Sequence, residues 1–217
     1  MVKRVNTKIR GKEKRKRKKI ILIGTEGNNI TETKYLENFR RYLNEYTIVF
    51  ACGNDTDSLG VINNTLYSIK KEELNYEEGD LVFSLIDYDV NVPRGKLNKF
   101  NVAIKKAQEN NIKVLLSNPT FEIWYLLHYK YSTKPFNSNE DVIYELKKYI
   151  ENYQKNLDVY NLLIDKLPNA INNAKKLENY HSKQGNTNLS KKCPSSDIYK
   201  LMEIVEKDMN KKLNGCC

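Results

Sequence analysis

The stretch LVFSLIDYD, residues 81–89, decides the fold that we predict for this chain. Five of its first six residues are apolar without alternation, which is typical of a strand buried on both faces of a parallel or mixed sheet. Asp87 and Asp89 follow where this strand should end. Because burying an unpaired carboxylate is costly, acids in this position are either solvated or paired with a cation. Ligands bind at the carboxyl ends of strands in open α/β sheets. The pair is therefore our first candidate for a divalent-metal site.

Three further apolar runs predict strands beside this one. They are KIILIG at 19–24, TIVFAC at 47–52 and IKVLL at 112–116. Apolar residues at helical spacing fall between the runs, so the predicted order is β-α-β-α-β-α-β. This order is typical of a layered α/β domain, which we place at residues 19–130.

Glu26 is a third acid at the end of a predicted strand. It lies two residues after the first predicted strand, and Gly27 after it permits a tight turn. A solvated loop acid and a metal ligand explain Glu26 equally well from the residues alone. Glu32 is better explained as a first-turn helix acid that the helix dipole favours.

A strongly apolar helix is predicted in SNPTFEIWYLLHY, residues 117–129. Pro119 suits its first turn, and apolar residues on nearly all sides indicate that the helix is buried. Glu122 is its one acid, and we expect it either to be paired in a pocket or to face the helix dipole. His128 can act as a base, contact a phosphate or fill a core position, and we favour the core position.

Residues 131–217 are predicted to be a helical elaboration that packs on the sheet domain. The apolar spacing predicts three helices, at about 142–149, 163–177 and 198–209. Pro168 should kink or divide the second helix, and Ser195 or Ser196 can cap the third.

Residues 1–18 are predicted to be a disordered basic arm. Residues 1–19 carry eleven Lys or Arg against one acid, and the rest of the chain has equal numbers of basic and acidic residues, so the formal net charge of +10 comes from this end. The arm can bind nucleic-acid phosphates through counterion release, or it can act only as a solubilising segment. The candidate nucleic-acid contacts are Lys14, Arg15, Lys16, Arg17, Lys18 and, in the body, His128.

Other classes of protein are not favoured. No apolar run approaches the roughly 20 residues of a membrane helix, and residues 20–24 are too short for the core of a secretory signal, so we expect a cytoplasmic protein. The four cysteines lack the paired spacing of a zinc site. No phosphate loop of the form GxxxxGK[ST] is present, so an ATPase activity would have to come from a partner.

Several strings of the sequence together resemble the RloB family. They are ILIGTEGNNITETKYLENF, the DYD after a buried strand, SNPTFEIWYLLHY, AINNAKKL and CPSSDIYKLMEIVEK. The resemblance covers about residues 18–207, and SNPxFExWxLLH is its most specific part. Residues 193–196 read CPSS where the family more often has NPST. RloB-like proteins are associated with bacterial abortive-infection and restriction loci, commonly beside an ATPase of the AAA or ABC-like kind, and their core resembles a Toprim domain.

The resemblance implies a site and an activity. In Toprim proteins an acid after the first strand and a D-x-D after a later strand hold Mg²⁺, and the matching residues here are Glu26, Asp87 and Asp89, with Mn²⁺ as an alternative ion. Glu122 matches a further family acid and completes the candidate catalytic set. Hard oxygen ligands of this kind suit Mg²⁺. The implied function is a Mg²⁺-dependent nuclease acting on RNA, including tRNA, or on DNA in anti-phage defence, with the ATPase of the same locus as partner.

Two other functions stay open. The chain could be a non-catalytic sensor or interaction subunit that uses a Toprim-like body to bind the ATPase. A phosphatase is less favoured, because Val90 and Asn91 do not supply the Thr expected after a haloacid-dehalogenase D-x-D. The sequence leaves RNA and DNA, and a monomer and an oligomer, undecided.

Overall fold

The computed structural model describes residues 17–27, 30–88, 94–186 and 188–214. The predictions for Asp89, Lys14, Arg15 and Lys16 therefore lie outside the described residues. The strands are β1 (Lys19–Gly24), β2 (Tyr46–Phe50), β3 (Leu81–Asp87), β4 (Lys113–Asn118) and β5 (Ser195–Ser196). The α-helices are α1 (Ile30–Glu37), α2 (Ser58–Lys71), α3 (Arg94–Glu109), α4 (Glu122–Leu127), α5 (Asn139–Leu146), α6 (Tyr160–Leu163), α7 (Leu167–Lys183) and α8 (Tyr199–Asn214). None of the described helices is both long enough and apolar enough to cross a bilayer.

The five strands form one sheet in the order β2-β1-β3-β4-β5. The first four strands are parallel to one another, and β5 pairs antiparallel with β4. This confirms the predicted α/β fold, and the layered, mostly parallel sheet is consistent with a Toprim-like domain. In such a sheet the chain leaves β1 towards β2 and returns to β3 on the other side of β1. A crevice therefore opens at the carboxyl ends of β1 and β3, where ligands bind in doubly wound folds.

Both faces of the sheet are covered, which explains the unbroken apolar runs. On one face, Val82 and Ile86 of β3 belong to a hydrophobic cluster with residues of α2 and α3. On the other face, Phe83 and Leu85 pack in a larger cluster with residues of α1, α4, α5, α7 and α8. The central strand is thus buried between two helical layers.

The region after residue 131 differs from the prediction in one respect. It is not wholly helical, because Ser195 and Ser196 form β5, opposite Asn118 and Ser117 of β4. Pro168 divides the predicted second helix, as expected: α6 ends at Leu163, a 3-10 turn follows, and Pro168 lies in the first turn of α7.

Pro119 does not lie in a first helical turn, because α4 begins only at Glu122. The peptide bond between Asn118 and Pro119 is cis. The sequence pattern placed the start of this helix three residues too early.

The loop after β1 depends on Gly27. Its backbone N–H donates to the carbonyl of Asp55 at 2.8 Å. A Cβ added at Gly27 would lie 2.2 Å from backbone atoms of Asn54, so a larger residue would push these two loops apart. The glycine therefore fixes the position of Glu26, which directly precedes it.

Candidate active site at the ends of β1 and β3

Two acids follow neighbouring strand ends. Gly24 at the end of β1 is paired with Ser84 of β3, so the two strands run side by side to the same edge of the sheet. Glu26 comes two residues after β1, and Asp87 is the last residue of β3. Both therefore lie at the crevice between β1 and β3.

Two helices add acids to the same place. Glu32 lies in the first turn of α1 and Glu122 in the first turn of α4, and the two side chains are only 4% and 3% exposed. Asp87 is close enough to Glu26, Glu32 and Glu122 for their negative charges to repel one another. The fold thus gathers four carboxyl groups at one end of the sheet.

A short hydrogen-bond chain holds two of these acids. The Thr120 hydroxyl lies 3.1 Å from Asp87 Oδ2 and 2.6 Å from Glu122 Oε2. Because a hydroxyl carries one proton, it donates to one of these carboxylates at a time. The buried Tyr153 hydroxyl donates to the other oxygen of Glu122 at 3.1 Å.

The proton affinity of the cluster is high. Burial, followed by repulsion from Glu26 and Glu122, raises the pKa of Asp87 to about 8, although hydrogen bonds from Thr120 and the Phe121 amide oppose the shift. Burial and then repulsion from Asp87 raise the pKa of Glu32 well above its ordinary value. Near neutral pH the cluster must therefore hold a proton or a bound cation.

A small cavity opens between these groups. Its volume is about 10 Å³, which is about the space that one water molecule needs. It is lined by Thr31, Glu32, Asp87, Thr120, Phe121, Glu122 and Lys155. The cavity therefore has room for a water molecule or a small ion among the carboxylates.

The donors suit a hard divalent ion, but the described residues do not make up a complete metal site. Carboxylate oxygens are the ligands that Mg²⁺ prefers, and repulsion between them favours a cation. Within residues 17–27, 30–88, 94–186 and 188–214, no group of three or more His, Cys, Asp or Glu side chains is arranged so that it could hold a metal ion. Asp89, the remaining candidate ligand, lies outside these ranges.

A scan against protein-family models matches the family described as RloB-like protein over residues 21–205. The chain belongs to the RloB-like family. Glu26, Glu32, Asp87 and Glu122 all lie within the matched range, whereas the basic N-terminal segment, residues 1–18, lies before it. Searches of curated proteins and of solved structures found no match.

His128 of this RloB-like chain is a core residue, as we favoured, and its ring is only 1% exposed. Its Nδ1 lies 2.9 Å from the Trp124 carbonyl and its Nε2 lies 3.3 Å from the Tyr35 hydroxyl. Because a carbonyl only accepts, Nδ1 carries the proton and Nε2 accepts from Tyr35. Burial lowers the pKa of His128 to about 4. The nucleic-acid contact considered for His128 is corrected on this ground: the neutral ring is closed off from solvent.

Arg17 and Lys18, the last two residues of the predicted basic arm, are fastened to the body of the RloB-like chain. The Arg17 guanidinium pairs with Asp80 at 2.9 Å and with Glu78 at 3.2 Å. Lys18 Nζ donates to the Leu43 carbonyl at 2.9 Å. Any role of these two residues in nucleic-acid binding would compete with these contacts.

Sequence reasoning missed part of the site in this RloB-like chain. Glu32 was assigned to the helix dipole, yet Tyr35 and Leu36, three and four residues later, are fully buried on the same face of α1. That spacing was the signal that Glu32 points into the protein. Tyr153 and Lys155 reach the site from a turn after α5, and the sequence around them carries no comparable signal.

Proposed function

We propose that this RloB-like chain is a divalent-metal-dependent nuclease of the Toprim type that hydrolyses phosphodiester bonds of RNA, including tRNA, or of DNA in bacterial anti-phage defence. The convergence of Glu26, Glu32, Asp87 and Glu122 at the carboxyl ends of β1 and β3 carries this proposal. A structural role explains such a cluster poorly, because mutual repulsion destabilises the fold when no cation is bound. Metal sites are one of the few places where buried like charges are useful.

The residues that would hold the ion are Glu26, Asp87 and Asp89, and the ion would be Mg²⁺ or Mn²⁺. When bound, such an ion polarises a phosphoryl oxygen and lowers the pKa of a bound water. Asp87 must lose its proton to act as a ligand, and its pKa of about 8 allows this near neutral pH. The Thr120 hydroxyl can then donate to Asp87 or Glu122 and keep the two carboxylates apart.

Glu122 would act beside the ion. Tyr153 donates a hydrogen bond to one of its oxygens, and the Thr120 hydroxyl lies 2.6 Å from the other, so its carboxylate is held in one orientation in the wall of the cavity. A carboxylate fixed in this way can accept a hydrogen bond from a water molecule in the cavity and orient it. We assign Glu122 to this orienting role.

The proposal also includes two partners, namely the nucleic acid that the basic segment would bind and an ATPase. Residues 1–16 carry the positive charge that would guide RNA or DNA to the site through counterion release. The ATPase expected from the family resemblance would supply the nucleotide chemistry that this chain lacks a phosphate loop to perform. Both partners are proposed on the resemblance and on charge, and a cytoplasmic location agrees with them.

The test is incubation of the purified chain with tRNA, other RNA and DNA in the presence of Mg²⁺, Mn²⁺ or a chelator. Wild type should cleave at least one substrate only with metal, and Asp87→Asn should not. Asp165→Asn is a matched control, because Asp165 is exposed and lies outside the cavity. Cleavage by Asp87→Asn at the wild-type rate, with the same metal dependence, would contradict the site.

One observation favours the second candidate, a non-catalytic sensor or interaction subunit. Among the described residues the acids do not form a ready metal-binding group. In that case the chain should bind the ATPase equally well with Asp87→Asn, and no nucleic acid should be cleaved under any metal condition. Defence that survives Asp87→Asn in cells would also support this alternative.

A further inference from the structure

Among the described residues that line the acidic cavity, one is basic, and it comes from outside the predicted sheet domain. Lys155 lies in the segment between α5 and α6, whereas the other lining residues belong to α1, to β3, to the loop before α4 and to the start of α4. Lys155 is exposed to solvent and also lines the cavity. Lys155 is thus positioned at the mouth of the site.

The backbone on both sides of Lys155 is fixed to the site. On one side, Tyr153 is buried and donates to Glu122 at 3.1 Å. On the other side, Asn156 has a φ of +73°, a conformation that Asn adopts more readily than most residues. The Asn156 N–H donates to Thr31 Oγ1 at 3.4 Å, and its carbonyl accepts from Lys34 Nζ at 2.9 Å. The turn therefore holds Lys155 against α1 and α4.

Lys155 differs from the lysines that neutralise acids elsewhere in the fold. Glu145 is held by Lys130 at 2.9 Å and Lys148 at 2.6 Å, and these ion pairs lower the pKa of Glu145 to about 2. Within the part of the chain that the structure describes, Lys155 makes no such ion pair. Its charge is therefore available to a ligand at the mouth of the cavity.

We propose that Lys155 binds the scissile phosphate of the nucleic acid and stabilises the charge that develops on it during hydrolysis. The inference rests on the proposed nuclease function and adds a catalytic residue to it. A phosphate brought to the four acids would be repelled by any carboxylate that the metal does not neutralise. An ammonium group at the mouth of the cavity offsets that repulsion, and its attraction grows as negative charge develops on the phosphoryl oxygens.

Two measurements test this role. In hydrolysis by the full chain with Mg²⁺, Lys155→Ala should lower kcat by about 10²-fold, and Lys155→Arg should retain part of the rate because it keeps the charge. Binding of a labelled single-stranded RNA or DNA oligonucleotide is measured in the Asp87→Asn background, where hydrolysis is not expected. There Lys155→Ala should reduce the slope of log affinity against log salt by about 0.7, the loss of one phosphate contact on a single strand. Lys176→Ala removes the same charge from an exposed position of α7 and is the control.

The outcomes separate this inference from the proposed function. If wild type hydrolyses no substrate, the nuclease proposal fails, and the salt slope still decides whether Lys155 binds phosphate. If Lys155→Ala matches Lys176→Ala in both rate and slope, the inference is overturned. A lower melting temperature of Lys155→Ala with unchanged binding would make Lys155 a counter-charge for the acids, and would also overturn it. If the full chain binds no nucleic acid, the inference is also overturned.

Discussion

Asp80 and Asp87 stand at opposite ends of the same central strand, yet their surroundings are opposite. Asp80, just before β3, is buried and accepts hydrogen bonds from the Ile20 and Asn75 amides, both at 2.8 Å, and from Arg17 at 2.9 Å. Burial alone would raise its pKa, but these donors lower it below the ordinary value. Asp87, at the end of β3, faces other acids, and its pKa is raised to about 8.

This difference indicates that Asp80, and not Asp87, stabilises the fold. At Asp80 the protein supplies a donor for each carboxylate oxygen and an opposite charge, so the charged form is stabilised. At Asp87 it supplies Thr120 and one backbone amide, and then places Glu26 and Glu122 nearby. A buried carboxylate that has few donors and lies near other acids, at the edge of a sheet where ligands bind, indicates a functional site.

The largest expected effect is a loss of hydrolytic activity, which we expect on substitution of Asp87 and not of Asp80. Asp87→Ala should lower metal-dependent hydrolysis by about 10³-fold, because a ligand for the ion is lost. Its melting temperature in chelator should be equal to or above that of wild type, because removal of one acid relieves repulsion. Single-turnover cleavage and thermal unfolding on the same samples give the two values. A clear loss of stability with activity retained would reverse the roles assigned to Asp80 and Asp87.

The next effect is on stability alone. Asp80→Ala should destabilise the fold by about 3 kcal/mol, because two buried amides and the Arg17 guanidinium lose their acceptor. Urea unfolding measures the change. Hydrolysis per folded molecule should stay near the wild-type rate, and the exposed Asp165→Ala serves as a reference with little expected change. Stability equal to that of the reference would show that the hydrogen bonds to Asp80 contribute little.

The sequence predicted the four parallel strands but not β5. The long apolar runs of β1, β3 and β4 reflect burial on both faces, and each observed strand begins and ends within two residues of its predicted run. A strand of two residues such as β5 is too short to show a pattern. It pairs with the end of β4, which is distant in the sequence.

The site residues that lie at strand ends could be predicted from the sequence. Those contributed by segments distant in the sequence could not. Glu26 and Asp87 could be found because parallel strands end at a common edge. Glu32 could have been found from the buried face of α1. Tyr153 contacts Glu122 across 31 positions of sequence, and such a contact depends on how the later helices pack against the sheet.

We also expect Asp80 and Asp87 to make the stability of the fold depend on pH in opposite directions. The folded chain keeps the Asp87 proton up to a pH of about 8, while an unfolded chain releases it near pH 4. The free energy of unfolding without metal should therefore fall as pH rises from about 4 to about 8. The pKa of Asp80 is lowered in the folded chain. Asp80 therefore stabilises the fold above its ordinary pKa, and this stabilisation is lost as the pH falls through the pKa that Asp80 has in the folded state.

Thermal unfolding in chelator tests the contribution of Asp87. Between pH 5 and pH 8, wild type should lose at least about 3 °C more than Asp87→Asn, which corresponds to about 1 kcal/mol. Added Mg²⁺ should reduce the loss by binding the folded state. Parallel pH profiles of wild type and Asp87→Asn would show that Asp87 does not titrate in this range.

A further effect concerns the hydrogen bond that supports Glu122. Tyr153→Phe removes one buried hydrogen bond to a carboxylate and should cost about 1 to 2 kcal/mol of stability, measured by urea unfolding. Hydrolysis should fall by less than for Asp87→Ala, because the Thr120 hydroxyl still lies within hydrogen-bond distance of Glu122. Tyr144→Phe is the matched control, since Tyr144 is 72% exposed. A loss of activity as large as that of Asp87→Ala would place Tyr153 among the groups that contact substrate.

Calorimetric titration with Mn²⁺ tests the central claim most directly, namely that the acids at the ends of β1 and β3 hold a divalent ion. At pH 7 Asp87 still holds most of its proton, so binding should release protons, and the measured heat should change with the ionisation enthalpy of the buffer. We expect saturable binding with proton release by wild type, its loss in Asp87→Asn, and its retention in Asp165→Asn. No binding by wild type, or equal binding by Asp87→Asn, would contradict the account.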